Sequence, residues 1–364
     1  MKNILIALRD LKIGGIEKAA ITLINYLSEN GYNVTLVLEE KTGELLNQIG
    51  DRTEIIEYKP SLKKIKIIRK IINGFKRLNF KIRYGNKFDV SISYATYSKP
   101  CSFVARVASE NSILWCHADY LALFEKDSKK VKEFFEEIYY DEFLKIVFVS
   151  KNALKSFEQV FPEQKNTFYC NNLIDTKKIY EQTSENIDLK YNKETTTFLN
   201  VGRHDEKQKK LSRIIKAASL LKREKYKFRI VFVGEGKDTP KYKKLAQKYN
   251  LQENIIFEGA KENPYPYFKI ADCIVLSSDY EGYPVVFLES YVLNKPIITT
   301  DISDYEDISQ GRGIVTSKNT KAIYKAMKNF LNEGYRIKDE FDVRKYNLET
   351  ANNLKEILKN SWNF

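Results

Sequence analysis

The sequence is poor in the residues that build metal sites and disulfide frameworks. Its 364 residues include four cysteines, scattered without a C-x-x-C pair, and two histidines, His117 and His204. A zinc site built from so few ligands is not expected. The cysteines fit the reduced thiols of a cytosolic protein.

Long apolar runs are also absent. No stretch approaches the roughly 18 consecutive apolar residues of a membrane-spanning helix. The first ten residues already contain Lys2, Arg9 and Asp10, which does not fit the apolar core of a signal peptide. We therefore expect a chain that stays in the cytosol and does not span a bilayer.

Disorder is excluded by the composition, which is 43% hydrophobic and 30% charged. These fractions are typical of globular proteins. At about 150 residues per domain, the length predicts two domains, each large enough for its own core.

The net charge of +13 is concentrated in one segment. Residues 58–88 contain eleven basic residues and no acidic one, whereas the rest of residues 1–175 has more acidic than basic residues. Apolar side chains recur among the lysines at helical spacing, which predicts a basic amphipathic helix that binds anionic lipid. The residues assigned to membrane binding are Lys63, Lys64, Lys66, Arg69, Lys70, Lys76 and Arg77.

Two alternatives remain open for residues 58–88. A solvated helix whose apolar face packs against its own domain gives the same pattern. A nucleic-acid surface is disfavoured because the chain has no recognisable DNA- or RNA-binding module. No nucleic-acid partner is therefore expected.

Short apolar runs alternate with longer amphipathic stretches, which is the rhythm of an α/β fold. The strands predicted in the first half are 3–8, 33–38, 54–58, 89–93, 112–115 and 145–149. A second series begins afresh with 197–201, 228–233, 254–257, 273–276 and 296–299. Helices are predicted between the strands, for example over 16–30 and 151–161.

Two α/β domains follow from these two series, over residues 1–175 and 195–345. The polar, strand-poor stretch 175–194 is the predicted linker. The final segment, 346–364, contains a helix-like pattern over 350–362 with no strand after it. We expect this segment to return to the first domain.

Ligands of open parallel sheets bind beyond the carboxyl ends of the strands, where loops lead into helices. The first such loop contains Gly14 and Gly15, which allow close approach of a ligand before a helix N-terminus that favours an anion. The dinucleotide pattern G-x-G-x-x-G is absent, so a plain tight turn is the alternative. His117 follows another predicted strand, where it could hydrogen-bond a hydroxyl or phosphate or be purely structural.

Several loops of the second series carry polar or glycine-rich motifs. Val201-Gly202-Arg203 ends a strand and precedes Lys207, Lys209 and Lys210, and both cation types suit a diphosphate. A glycine turn at Val233-Gly234-Glu235-Gly236 fits a nucleobase or ribose approached by backbone. Asn263-Pro264-Tyr265 precedes a short helical stretch.

The most informative segment runs from Ser277 to Glu289. Gly282 permits a tight turn, and Pro284 suits the first turn of a helix whose free amides can bind phosphate. Glu281 is expected at the helix mouth. Glu289 falls in an apolar run, where a carboxylate is costly unless it is hydrogen-bonded, and sugar hydroxyls would satisfy both carboxylates.

These motifs, in this order and spacing, resemble the retaining glycosyltransferases of family 4. They are GG-x-E at 14–17, VGR at 201–203, VGEG at 233–236, NPY at 263–265 and E-x7-E from Glu281 to Glu289. The resemblance spans nearly the whole chain and is strongest over 198–301. It implies the GT-B fold, an α/β architecture of two Rossmann-like domains facing across a cleft.

The resemblance also implies roles for individual residues. Arg203 and a following lysine would hold the donor diphosphate, Glu289 the ribose and Glu281 the transferred sugar. Family members place that lysine five residues after the arginine, where this chain has Gln208; Lys207 and Lys209 flank it, and we favour Lys209. The remaining residues assigned to the donor are Gly15, Gly234, Gly282, Tyr283, Pro284 and Val285, and His117 is assigned near the reacting sugar.

The implied activity is transfer of a sugar from a nucleotide-sugar, expected to be a UDP-sugar, with retention of configuration. The expected acceptor is a lipid-linked, cell-surface glycan at the inner face of a bacterial membrane. No cofactor is expected. The sequence has no D-x-D motif at a strand end where a metal could hold the diphosphate, so no metal is expected either. A nucleotide-sugar epimerase and a non-catalytic partner subunit remain alternatives, and the base, sugar, linkage and oligomeric state stay open.

Overall fold

The computed structural model describes residues 2–189, 194–338 and 340–359. The chain divides into two compact units. Unit 1 contains the residues up to 173 together with those from 347 onward, and unit 2 contains residues 174–346. Part of the predicted linker, residues 190–193, and the end of the predicted C-terminal segment, residues 360–364, lie outside the described ranges.

Unit 1 is built on a seven-stranded parallel sheet in the order β3-β2-β1-β4-β5-β6-β7. Its strands are β1 Asn3–Leu8, β2 Asn33–Leu38, β3 Glu54–Glu57, β4 Val90–Ser93, β5 Ser112–Cys116, β6 Lys145–Phe148 and β7 Thr167–Tyr169. The central strands are buried on both faces, so β1 and β5 read as apolar runs, whereas β4 includes two buried serines, Ser91 and Ser93. The helices are α1 Gly15–Glu29, α2 Lys66–Tyr84, α3 Lys99–Ala108, α4 Tyr120–Leu123, α5 Ser128–Glu137 and α6 Lys151–Val160.

Unit 2 is built on a six-stranded parallel sheet in the order β10-β9-β8-β11-β12-β13. Its strands are β8 Thr196–Val201, β9 Phe228–Val233, β10 Ile255–Gly259, β11 Cys273–Val275, β12 Ile297–Thr300 and β13 Gly313–Thr316. The helices are α7 Thr176–Gln182, α8 Leu211–Arg223, α9 Thr239–Lys248, α10 Tyr265–Ile270, α11 Val285–Val292, α12 Glu306–Ser309 and α13 Thr320–Glu333. A last helix, α14 Val343–Ile357, begins in unit 2 and ends in unit 1.

The prediction of two Rossmann-like α/β units is confirmed. Both sheets run outward from a central pair, β1 with β4 and β8 with β11, so each reverses its strand order there. Two edge strands, β7 and β13, were not predicted. The stretch predicted as a linker contains helix α7, and the C-terminal helix begins seven residues before its predicted start at Thr350.

None of the described helices is both long and apolar enough to cross a membrane. The longest, α2, has 19 residues and alternates apolar with basic side chains.

A buried lysine fastens the end of α14 to the first sheet. Lys145 on β6 is 1% exposed, and its ammonium donates to the carbonyls of Ile357 and Lys359, each at 2.6 Å. Lys2 donates to the neighbouring carbonyl of Leu358 at 3.1 Å. Carbonyls at a helix C-terminus lack intrahelical donors, so two cations satisfy them here. Burial, helped by Lys2, lowers the pKa of Lys145 to about 8, which leaves it protonated at neutral pH.

Replacing this lysine should loosen the C-terminal helix. Lys145→Met keeps the apolar stem but leaves two carbonyls without their donor, and we expect a loss of about 2–4 kcal/mol in the free energy of unfolding. Urea unfolding measures the loss, and amide exchange should locate it in α14. Lys155→Met, on the exposed side of α6, is the matched control. Equal stabilities of the two variants would contradict the assignment.

Candidate functional site

The carboxyl ends of β8 and β11 lead into the loops 202–210 and 276–284 of unit 2. These strands are neighbours at the point where the order of the sheet reverses. Loops at such a point diverge and leave a crevice, which is where open α/β sheets bind ligands.

Glu281 connects these two loops. Its carboxylate is 7% exposed, and each oxygen has its own partner: the Lys209 ammonium lies 2.6 Å from Oε1, and the Gln208 amide donates to Oε2 at 3.1 Å. A buried carboxylate is tolerated only when it is paired in this way. The side-chain oxygen Oε1 of Gln208 accepts from the Arg203 guanidinium at 3.3 Å.

The structure therefore places Lys209 in direct contact with Glu281, and it links Arg203 to Glu281 through Gln208. Gln208 stands where the resemblance calls for a lysine, and it joins Arg203 to Glu281. Lys209 is half-buried, whereas Lys207 is exposed. Of the two candidate lysines, Lys209 is the one in contact with the buried carboxylate.

Further bonds lock the two loops to one another. The Asp279 amide donates to the carbonyl of Gln208 at 2.8 Å, and the Ser277 hydroxyl lies 2.9 Å from the carbonyls of Lys209 and Lys210. The Asp279 carboxylate pairs with Arg213 on α8 at 2.6 Å and with Lys210 at 3.5 Å. Lys210 has φ of +52°, a strained conformation for a residue with a side chain, and these bonds hold it there.

Glu289 lies in the second turn of α11 and is 3% exposed. The hydroxyl of Tyr265 donates to its Oε1 at 3.1 Å. Tyr265 begins α10, where its amide donates to Asn263 at 3.0 Å, and Asn263 donates to the carbonyl of Gln182 at 2.8 Å. Burial and the nearby Glu289 raise the pKa of Tyr265 well above its usual value, so its hydroxyl stays a donor.

The turn before α11 holds the other donor residues assigned from the sequence. Pro284 is the N-cap of α11, with extended backbone, so the prediction that it lies in the first helical turn is wrong by one residue. The ring of Tyr283 packs edge-on against Phe287 at 5.9 Å, which turns its side chain inward. The Gly282 carbonyl accepts from the Ser303 hydroxyl, and Val285 begins the helix.

Position 234 requires a glycine because two loops pack closely there. Its φ is +144°, and a Cβ atom there would lie 1.9 Å from the carbonyl oxygen of Gly202. Gly236 is similar, since a Cβ atom would lie 2.3 Å from the carbonyl oxygen of His204. Only glycine lets the loop after β9 come this close to the loop after β8.

In unit 1, the two glycines of the first loop open helix α1. Gly14 is the N-cap and Gly15 the first helical residue. A Cβ atom on Gly14 would lie 2.1 Å from the carboxylate of Glu17, so this side chain folds back over the helix N-terminus, where a negative charge is favoured. Burial and, next, the Glu17 charge raise the pKa of Tyr97.

His117 follows β5 in unit 1, and its ring lies 4.2 Å from that of Tyr94, centroid to centroid. Its Nε2 is shielded from solvent and bonds to no atom among the described residues. Burial lowers the pKa of His117 to about 3. The imidazole is therefore neutral at pH 7 and can exchange hydrogen bonds but carries no charge.

The basic segment divides at the start of α2. Lys66, Arg69, Lys70, Lys76 and Arg77 lie on the helix, whereas Lys63 and Lys64 precede it, and all seven are exposed. The alternative in which the apolar face packs on its own domain is wrong, because Ile67, Ile71 and Phe75 are 71%, 54% and 69% exposed.

No group of three or more His, Cys, Asp or Glu side chains arranged to hold a metal occurs within residues 2–189, 194–338 and 340–359.

Comparison with known proteins relates the second half of the chain to a known family. The model of the family "Glycosyl transferases group 1" matches residues 181–349, which contain the whole of the unit 2 site. This region of the chain is therefore similar to the glycosyl transferases group 1.

Two relatives illustrate the range of this similarity. A Campylobacter jejuni N-acetylgalactosamine-N,N'-diacetylbacillosaminyl-diphospho-undecaprenol 4-alpha-N-acetylgalactosaminyltransferase is 30% identical over 42% of this chain and 40% of its own length. The amylovoran biosynthesis glycosyltransferase AmsD of Erwinia amylovora is 22% identical over 96% of this chain and 95% of its own length. The alignments that reach 30% identity cover two fifths or less of the length of the matched proteins.

The fold has counterparts among solved structures. The crystal structure of Anabaena HepE in complex with UDP and glucose matches 98% of this chain and 100% of its own with a TM-score of 0.74 and 14% identity. At this identity the likeness shows the fold alone, and it confirms the expected GT-B class.

Sequence reasoning gave no role to several residues of this unit 2 site. Gln208 bonds to Glu281 and Tyr265 bonds to Glu289, while Asp279 pairs with Arg213 and with Lys210. Tyr265 stood inside a recognised motif, so its position was a usable signal. Gln208 occupies the position at which the resemblance calls for a lysine, and no sequence pattern indicates that its side chain bonds to Glu281.

Acid should destabilise this chain through its two histidines. Burial lowers the pKa of His117 to about 3, and burial with Lys243 lowers that of His204 to about 4. In the unfolded chain both titrate near 6.5. The contribution of the two histidines to the free energy of unfolding is complete above pH 6.5. It is lost as the pH falls towards 4, because only the unfolded state takes up protons there. The loss is about 1.4 kcal/mol per pH unit for each histidine.

Urea unfolding of the wild type and of His204→Gln at pH 7, 6 and 5 measures this loss. The difference in the free energy of unfolding between the wild type and His204→Gln should decrease by about 1.4 kcal/mol for each pH unit below pH 6.5. A difference between the two proteins that does not change with pH would contradict the neutral, buried state of His204.

Proposed function

We propose that this protein is a retaining glycosyltransferase that moves a sugar from a UDP-sugar to a hydroxyl of a growing cell-surface polysaccharide or oligosaccharide. The observation that carries the proposal is the convergence of Arg203 and Lys209 on the buried Glu281 at the strand-order reversal of unit 2. This convergence lies inside the region matched by the glycosyl transferases group 1 family.

The cations give the site its affinity for a diphosphate. Arg203 is exposed and offers a planar fork of donors, and Lys209 offers an ammonium held at a fixed place by Glu281. When the bond from the sugar to the diphosphate breaks, negative charge accumulates on the leaving nucleoside diphosphate. Cations that are already oriented stabilise this charge without reorganising during the reaction.

The two carboxylates suit the sugars of the donor. Glu289 is the proposed ligand of the ribose hydroxyls, and Tyr265 fixes the orientation of its carboxylate. Glu281 is the proposed contact of the transferred sugar. The turn from Gly282 to Val285, with Gly234, completes the proposed donor site through backbone atoms, since the Tyr283 ring is turned inward.

Retention is proposed to proceed by front-side attack, in which no side chain forms a covalent bond to the sugar. His117 in unit 1 is the proposed contact of a hydroxyl group of the reacting sugar. Because its imidazole is neutral, it can accept or donate a hydrogen bond without adding charge to the site. Gly15 is the proposed backbone contact of unit 1 with the donor phosphates.

The acceptor is proposed to be a lipid-linked glycan at the inner face of the cell membrane. Two relatives support this class: the Campylobacter jejuni enzyme acts on a sugar attached to diphospho-undecaprenol, and the Erwinia amylovora enzyme acts in amylovoran biosynthesis. The solved neighbour that binds UDP and glucose supports a UDP-sugar donor.

Thermal stabilisation by nucleotide-sugars tests the donor site. A ligand that binds only the native state raises the melting temperature, by the equivalent of about 2.7 kcal/mol at a hundred times its Kd. We expect a rise with UDP-sugars, and not with GDP-, ADP- or CMP-sugars, that is lost in Arg203→Met, Lys209→Met and Glu289→Gln. Lys207→Met, an exposed lysine of the same loop, is the matched control and should keep the rise.

Three results would each overturn a part of this proposal. The absence of a shift with any nucleotide would favour a non-catalytic subunit, and equal losses in Lys207→Met and Lys209→Met would remove the diphosphate role of Lys209. Product formed with inverted anomeric configuration, read by NMR, would exclude retention.

Catalysis is proposed to need no metal ion, because Arg203, Lys209 and the N-terminal amides of α11 already supply positive charge to the diphosphate. Turnover should be unchanged in EDTA. Loss of activity in EDTA that magnesium or manganese restores would show that a metal takes part.

A further inference from the structure

Helix α2 presents an apolar face to solvent. Ile67, Ile71, Phe75, Leu78 and Ile82 follow one another at intervals of four, four, three and four residues, so they form one stripe along the helix. They are 71%, 54%, 69%, 55% and 69% exposed. Leu62 and Ile65, just before the helix, are 79% and 61% exposed and extend the same apolar surface.

The opposite side of α2 is the one that packs on unit 1. Phe80 is 4% exposed and lies edge-on against Tyr58 at 5.1 Å, and the Arg77 guanidinium lies 5.3 Å from the ring of Phe103. Asn73 accepts from the amide of Ser61 at 2.7 Å. Because the Phe80 side of α2 packs on unit 1, the apolar stripe on the other side cannot also pack against unit 1.

The charges around the stripe have one sign. Residues 58–88 contain no acidic residue, and the exposed cations of α2 include Lys66, Lys70 and Lys81. A surface that is at once apolar and cationic matches the interface of an anionic lipid bilayer, which offers hydrocarbon and negative headgroups together.

We propose that α2, with residues 62–65, is an interfacial helix that inserts its apolar stripe into an anionic bilayer surface. The helix lies in the interface and does not cross it, since no described helix qualifies as a membrane span. Two copies of the stripe facing each other would bring like charges together, which disfavours self-association. A nucleic acid would match the cations but leave the stripe in water.

Vesicle binding by the full-length protein tests the charge requirement. We expect co-sedimentation with phosphatidylcholine vesicles containing phosphatidylglycerol at low salt, and much weaker binding to phosphatidylcholine alone. The triple variant Lys66→Gln/Lys70→Gln/Lys81→Gln should bind about 100-fold more weakly, at about fivefold per lysine. Lys129→Gln/Lys130→Gln/Lys132→Gln, exposed lysines of α5, is the matched control and should bind like the wild type.

A second set of variants tests insertion. Ile71→Ser/Phe75→Ser/Leu78→Ser keeps every charge and changes only exposed side chains, and it should weaken vesicle binding at least tenfold. The emission of Phe75→Trp should shift to the blue on adding anionic vesicles. Leu144→Trp, at an exposed apolar residue outside α2, should not shift.

Three outcomes would overturn the proposal. These are no binding to anionic vesicles, binding that survives the serine variant without a blue shift, and a dimer in light scattering that the serine variant abolishes in the absence of vesicle binding. The donor-binding assay is separate, so failure here leaves the proposed transferase activity standing. Conversely, vesicle binding by a protein that binds no nucleotide would support this inference alone.

Discussion

The ion pair between Lys209 and Glu281 joins the loops that follow the two central strands of the second sheet. Each loop would be free to diverge from the other, because the strand order reverses between β8 and β11. Burying the Glu281 carboxylate makes the pair obligatory, since an unpaired charge there would be costly. Arg203 is tied to the same carboxylate through Gln208, so the position of both cations depends on this one buried acid.

The two units use one topology for different chemistry. Both sheets reverse their strand order at a central strand pair, yet in unit 2 the loops there bring cations to the buried Glu281, whereas the loop after β5 in unit 1 carries the neutral His117 beside Tyr94. In unit 1 the one acid at the helix N-terminus, Glu17, already occupies the position that an anion would favour. A phosphate in contact with Gly15 would therefore have to displace the Glu17 carboxylate, whereas the first turn of α11 in unit 2 contains no acid.

The sequence was informative wherever burial alone decides structure. Strands such as β1 and β9 are buried on both faces, so short apolar runs revealed them. The edge strands β7 and β13 escaped because they are three and four residues long and half-exposed, and β13 begins with a glycine. Gly282 and Glu289 were found from local patterns, but the bond from Tyr265 to Glu289 joins two helices whose proximity only the folded chain creates. In the same way, the spacing of the apolar residues in α2 predicted an amphipathic helix but not which side would face the domain.

The local energetics of α2 add to the case for an external partner. The helix begins at Lys66 with no side-chain cap and no acid in its first turn, so its N-terminal dipole meets positive charge instead of negative. Among its residues Phe80 alone is buried, although most helical stability in proteins comes from packing an amphipathic face. The apolar stripe is thus the largest source of stabilisation that the helix has not used. A bilayer surface that covers the stripe and neutralises the lysines would relieve both the charge repulsion and the exposure of hydrocarbon, and would stabilise the helix as it binds.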